Sequence, residues 1–241
     1  MQLAPRTNRA CTPGQRGFTL MEVMLAITLL AAISAGMLVS LRGGLLTLER
    51  TSSRIEQERR ALGVEEMLRM QLGDVMPSVG FCGPPPGGVR ESIFRGTPQA
   101  MLLTTSYSMT EGSRGYPRIV SYQVLGNADG TVRLVVNEAL FSGPVSTAPF
   151  CQPAGLLNFW PQGAQSFVVA ARLASCRILY RQRFFSGAPG DWKPDWNLPN
   201  LPYAIRIEMI PPPGVIGTGP SNITIPFHVF RDVSEVYADL Q

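Results

Sequence analysis

The chain has 241 residues, 45% hydrophobic and 16% charged, with a formal net charge of +4, four cysteines and one histidine. At about 150 residues per domain this is one domain with extra segments, long enough to bury a real core. The charge does not point to nucleic acid: Arg6, Arg9 and Arg16 lie in an acid-free start, and the remaining 18 basic side chains face 17 acidic ones with no basic stripe interleaved with aromatics. Four cysteines without a CxxC pair, and a lone His228, argue against a zinc site, and no metal is expected.

Residues 1–17 form a short basic leader, and positive flanks of this kind stay cytoplasmic. The 24 residues from Phe18 to Leu41 form a long apolar run whose only charged side chain is Glu22. That exceeds the roughly 20 residues a helix needs to cross a bilayer. It is also too long for the apolar part of a secretory signal, about 7–15 residues. A plain anchor fits the length but leaves Glu22 unexplained, because a carboxylate in a span costs about 2.5–3.5 kcal/mol at the centre. Glu22 could lie near the interface and reach water by extending its side chain. A third reading puts a cut before the apolar run, after Gly17, so that the run is retained.

No proline occurs between Pro13 and Pro77, so one helix is expected from about Phe18 to about Met76. At 1.5 Å per residue it would be on the order of 90 Å long. Its first half, 18–41, suits lipid, and its second half, 42–76, reads as an amphipathic stalk. Leu41, Leu45, Leu48, Ile55 and Leu62 recur at helical steps, with Glu and Arg on the other faces. On this spacing Leu45, Leu48, Ile55 and Leu62 are expected to pack on the globular domain. Gly43-Gly44 is a weak point where the helix could bend or fray.

"PSVGFCGPPPGGV" ends the helix as a loop. Residues 77–241 then read as strand-like runs split by turns: "AMLLTTSYS", "RIVSYQVL", "TVRLVV", "FVVAARL", "CRILYRQRFF", "YAIRIEMI" and "NITIPFHVF". "GNADG" reads as a hairpin turn. "YAIRIEMI" alternates Ala204, Arg206 and Glu208 against Ile205, Ile207 and Met209, which suits a sheet with one wet face. In the "CRILYRQRF" run Arg177, Arg181 and Arg183 share one face and Cys176, Ile178 and Tyr180 the other. The fold class is α+β: a long amino-terminal helix packed on a mainly antiparallel sheet.

"RGFTLMEVMLAITLLAAISAGML" resembles the amino-terminal motif of type IV pilins and type II secretion pseudopilins. In that family a membrane aspartic peptidase cuts after a leader glycine and methylates the new terminus. The resemblance implies cleavage between Gly17 and Phe18, N-methylation of Phe18, and an assembly role for Glu22 as the fifth mature residue. It also implies that Glu22 of one subunit faces the Phe18 amine of a neighbour, so that the buried charge is paired.

"CRILYRQRF … GDWKPDWNLPNLPYAIRIEMI" looks like the globular part of the J-type minor pseudopilin, through Tyr180, Trp192, Trp196 and Leu201-Pro202. "LGDVMPSVGFCG" resembles the W-type minor pilin of type IV pili instead. Val39 stands where many major pilins carry a proline, and the 224 residues left after Gly17 are many for a repeating subunit, so a minor subunit is implied. The implied partners are a prepilin peptidase, other minor and major pilin-like subunits and inner-membrane lipid, with no nucleic acid, no small-molecule substrate and no cofactor. The implied place is the bacterial inner membrane, single-pass, with a periplasmic carboxy-terminal domain at a filament tip. The implied work is to initiate or cap a type II secretion pseudopilus. The alternatives are a W-type minor pilin, or a membrane-anchored periplasmic binding domain or enzyme outside any filament.

Little favours the enzyme. His228 has no GxSxG nearby and reads as a partly buried strand residue, and Cys176 is equally weak as a nucleophile. Asp191 and Asp195 in "DWKPDW" fall short of the six to eight oxygens of a calcium site. The tryptophans are expected to pack on the sheet. Cys11 goes with the leader, and an oxidising periplasm allows three single bridges among the other three cysteines. Cys82 and Cys151 both lie in loop-like sequence, whereas Cys176 sits in the apolar phase of a strand. Cys82–Cys151 is therefore the favoured bridge, with Cys176 a buried free thiol.

Overall fold

The computed structural model describes residues 17–83, 88–151, 166–184, 188–213 and 222–229. The chain divides into two compact units, one ending at Ser53 and one beginning at Arg54. Helix α1, Leu20–Gly73, belongs partly to each. With no proline to remove a bond it stays helical through Gly43-Gly44, where the Thr47 hydroxyl donates to the Gly43 carbonyl at 2.9 Å. In the first unit every apolar side chain of the helix with a recorded burial is exposed, from Leu20 through Leu48.

The second unit holds eleven described strands. They are β1 Val79–Cys82, β2 Val89–Ser92, β3 Arg95–Gly96, β4 Ala100–Ser108, β5 Ser113–Gly126, β6 Val132–Leu140, β7 Phe167–Leu173, β8 Ser175–Arg183, β9 Pro189–Lys193, β10 Ala204–Ile210 and β11 Asn222–Pro226. All described pairings are antiparallel: a β1-β2 ribbon, a five-stranded sheet in the order β3-β4-β5-β6-β7, and a four-stranded sheet in the order β11-β10-β8-β9. All seven anticipated strand runs are present. The "GNADG" turn joins β5 to β6, with Gly130 at φ +79, a conformation that favours glycine. Asp129 accepts from the Thr131 backbone N–H at 3.0 Å and from its hydroxyl, which holds the Asp129 carboxyl below its ordinary range.

Alternation along the strands builds the core. Met101 and Leu103 of β4, Val120 and Tyr122 of β5, and Leu134 and Val136 of β6 meet Ile178 and Tyr180 of β8 and Ile205, Ile207 and Met209 of β10 in one buried cluster. A second cluster gathers Cys82, Ile93, Leu102, Ile119 and Phe150, the last from a 3₁₀ helix at Pro144–Phe150. The two larger sheets are also joined edge to edge, where Gly96 and Trp196 exchange backbone hydrogen bonds of 2.8 Å in both directions. Only glycine fits at 96, because a Cβ there would lie 2.0 Å from the Tyr180 ring.

The helix does not use the face its sequence advertises. Leu45, Leu48, Ile55 and Leu62 are exposed, Leu48 and Leu62 at 66% each, while Leu68, Leu72 and Val75 are buried in the main core with Val64, Met67 and Met70 against it. Leu62 and Leu68 are six residues apart, about 240° around an α-helix, so the two sets point different ways. The helix also ends at Gly73, three residues before the expected Met76. Val75 forms a bridge with Thr105, and Met76 donates to the Thr104 carbonyl at 2.8 Å, so sheet hydrogen bonds capture the chain first.

Leu72→Ala should destabilise the sheet domain by about 2–5 kcal/mol, whereas Leu48→Asp should leave it unchanged. Denaturant unfolding of the full chain in neutral detergent checks both, and a large loss from Leu48→Asp would restore the rejected face.

Candidate functional site

The amino-terminal end of α1 begins as local hydrogen bonding requires. Helix starts leave orphan N–H groups, and Thr19 serves two of them: its carbonyl accepts from Glu22 at 3.0 Å and from Val23 at 3.3 Å, and its hydroxyl oxygen lies 3.4 Å from the Glu22 N–H. Glu22 stands in the first turn, where the helix dipole favours an anion. Thr19 and Glu22 have the spacing of a capping box. Nothing within this chain pairs the Glu22 charge among the described residues. Phe18, Glu22, Val23, Ala26, Ile27 and Leu30 line an open apolar groove along one side of the helix.

The segment Leu20–Glu49 is long and apolar enough to cross a membrane, with mean hydropathy 2.3 and none of its most apolar stretch buried. The Thr28 hydroxyl suits that surrounding: it donates back to the Leu25 carbonyl at 2.9 Å, so its own hydrogen needs no water. At Gly17 a Cβ would meet nothing within 4 Å. Nothing among the described residues calls for glycine there.

The other end of α1 is clamped to the sheet by buried polar groups. Gln71 is fully buried on the helix face beside Leu68 and Leu72. Its side-chain amide donates to the Tyr107 carbonyl at 3.1 Å and to Glu138 at 2.7 Å, and its Oε1 accepts from the Tyr122 hydroxyl. Glu138 also accepts from the Ser108 hydroxyl and the Met109 N–H, both at 2.7 Å. The Thr105 hydroxyl donates to the Gln71 carbonyl at 2.7 Å, satisfying an orphan acceptor of the last turn. Arg114 holds Asp74 through both carboxylate oxygens. Burial, with Glu138 nearby, pushes the Tyr122 hydroxyl well above its ordinary range, so it stays a donor at any physiological pH. Spacing could not reveal this clamp, because a glutamine between apolar residues reads as solvated; its only signal is the apolar pair Leu68 and Leu72 flanking it.

Cys82 and Cys151 form a disulfide with Cα atoms 5.5 Å apart, closing 69 residues between β1 and the end of the 3₁₀ helix. Cys176 is a buried free thiol whose pKa burial pushes up to about 12. Trp196 is buried, its indole N–H donating to the Asn200 carbonyl at 2.8 Å, whereas Trp192 is half-buried on the outside of the four-stranded sheet. His228 corrects an expectation: β11 stops at Pro226, so His228 lies past the strand and is exposed, while Phe227 before it is buried. Asp191 and Asp195 are exposed, and among the described residues no three His, Cys, Asp or Glu side chains gather where a metal could sit.

The prokaryotic N-terminal methylation motif matches residues 12–38, spanning Gly17, Phe18 and Glu22. Over 201 residues the chain is 27% identical to the Type II secretion system protein J of Xanthomonas campestris pv. campestris, covering 82% of this chain and 87% of that protein. No solved structure matches significantly. The motif, the apolar helix and the antiparallel domain together support a type IV pilin-like subunit, in a family of structural proteins not known as enzymes. Within that class the similarity supports a minor pseudopilin and favours the J-type reading over the W-type pilin.

Gln71→Leu should cost about 1–3 kcal/mol, because it leaves Tyr122 and Glu138 without their shared partner. The double variant Gln71→Leu/Tyr122→Phe should recover part of that loss in the same denaturant assay. For the sulfurs, peptide mapping without reduction should recover Cys82 joined to Cys151. Iodoacetamide at pH 8 should leave Cys176 unlabelled in the folded chain, its thiolate fraction being on the order of one in ten thousand.

Proposed function

We propose that this chain is a J-type minor pseudopilin that helps initiate or cap a type II secretion pseudopilus. The observation that carries the reading is the exposed apolar helix beginning at Leu20, whose first turn holds a carboxylate, Glu22, that none of the described residues pairs. Such a surface needs lipid or the helices of other subunits around it. The similarity to the Xanthomonas protein supports the J-type assignment.

On this reading residues 1–17 are a leader removed by a prepilin peptidase, whose cut falls between Gly17 and Phe18 and is followed by N-methylation of Phe18. Residues 18–41 anchor the protein in the inner membrane as a single span, the rest of α1 as far as Gly73 forms the stalk, and the sheet domain into which its last turns pack is periplasmic. Cleavage creates an amine at Phe18. Glu22 of one subunit then pairs with that amine on a neighbour, so a charge that is costly alone in lipid becomes half of an ion pair. The sheet domain, held to the helix by the Gln71 clamp, would sit at the filament tip beside other pilin-like subunits. The chain contributes no catalysis of its own here, being a substrate of the peptidase and a building block of the filament.

Gly17→Glu should block processing and accumulate the full-length chain in the inner membrane. Glu22→Ala should give mature-length, membrane-inserted protein that assembles poorly, and Glu22→Asp should partly restore assembly. An immunoblot for processing with co-purification of the other minor subunits reads both. Normal processing of Gly17→Glu would overturn the cleavage site. Normal co-purification of Glu22→Ala would overturn the charge pairing.

A further inference from the structure

We infer that the outer face of the four-stranded sheet is a docking surface for a carboxylate-bearing segment of a partner protein. Three guanidinium groups gather there through the register of β8, β9 and β10. Arg181 of β8 stands opposite Trp192 of β9 and Ala204 of β10, while Arg177 stands opposite Glu208. Arg206 comes up on the same face of β10, two residues from Glu208. Against these three cations, Glu208 is the carboxylate that the register of the described residues brings to this face.

The guanidinium groups are pre-positioned. Arg206 lies over the Trp192 ring with its Cζ 4.1 Å from the centroid, and Arg181 approaches the same ring at 5.5 Å. The Arg181 Nε is fixed by the Gly190 carbonyl at 2.9 Å. Stacking leaves the edge of a guanidinium plane for forked hydrogen bonding, so less freedom is lost when an oxyanion arrives. An indole beneath arginines is also the composition of interface hot spots.

The face already accommodates a carboxylate. Glu208 takes Nε of Arg177 on one oxygen and lies 3.8 Å from Arg206 on the other. The Glu208 side chain is only 18% exposed, whereas Arg177 is 64% exposed, so the pair leaves a cation facing outward. The surroundings favour a protein rather than a lipid headgroup: Ile210 is 55% exposed and Leu179 is half-buried on this face, so an incoming chain has apolar contacts beside the charges. The surface belongs to the second unit alone, and it stands or falls separately from the reading of Gly17 and Glu22.

The test uses the full chain in neutral detergent and a fluorescein-labelled, end-capped hexaglutamate peptide, with binding read by anisotropy. Binding is expected at about 50 mM salt and should weaken strongly at about 500 mM. Arg177→Ala/Arg206→Ala should weaken it about tenfold, and Arg206→Lys, which keeps the charge but loses the planar stack, should weaken it by a smaller factor. If removing Arg206 disturbs the fold, judged by near-ultraviolet circular dichroism, Arg177→Ala alone carries the test and should weaken binding several-fold. Absence of hexaglutamate binding at low salt would overturn the proposal. So would equal binding by wild type and Arg177→Ala. Phosphatidylglycerol vesicles that bind in an Arg177-dependent way, while the peptide does not, would assign the face to anionic lipid and also overturn it.

Discussion

Everything the sheet domain does with its helix depends on the buried contact between Gln71 and its partners Tyr122, Glu138 and the Tyr107 carbonyl. An amide has two donors and an acceptor that can be left unmet, and a buried polar group without a partner is costly. Here both donors and the acceptor are used, each by a different strand or strand end. Leu68 and Leu72 supply non-directional apolar burial, which would tolerate small slides along the helix. The Gln71 hydrogen bonds fix one position along the axis and one rotation. Thr105 and Asp74 then close the helix end against β4.

That fixed end contrasts with the other. From Leu20 through Leu48 the helix offers apolar side chains that none of the described residues covers. A helix apolar along this length, with the Thr28 and Thr47 hydroxyls returned to its own backbone, is a solution for lipid or for a bundle of like helices. Glu22 is out of place in such a surface, and none of the described residues offers it a cation. The one helix therefore carries two kinds of incompleteness. Its carboxy-terminal turn is completed by its own domain, and the charge in its amino-terminal turn is met by none of the described residues.

The two larger sheets share a core built by simple alternation, yet they differ in their outer faces. The five-stranded sheet is covered on part of its outside by the Cys82, Ile93 and Phe150 cluster, to which the Cys82–Cys151 bridge belongs. The four-stranded sheet turns arginines, a tryptophan and a glutamate outward instead. The edge contact between Gly96 and Trp196 joins the two, and Tyr180 fills the space that a side chain at 96 would need.

The sequence by itself determined the local terms. Absence of proline dictated one long helix, strand-like runs split by turns marked β4, β5, β6, β7, β8, β10 and β11, with alternation clear in β8 and β10, and the Gly-Phe-Thr-Leu-Met-Glu run marked the end that matches the methylation motif. These are legible because each depends on near neighbours and on a repeating pattern. The tertiary structure decided what depends on distant partners. β1, β2, β3 and β9 are two to five residues long and carry no periodic signal; they exist because a neighbouring edge is there to receive them. The helix face that packs was also decided by tertiary structure. Leu45, Leu48, Ile55 and Leu62 have helical spacing just as Leu68 and Leu72 do, and spacing cannot say whether an apolar stripe meets its own domain or another molecule. Gln71 looks solvated until Tyr122 and Glu138 are brought to it from 51 and 67 residues away, where a polar side chain becomes the centre of a buried clamp.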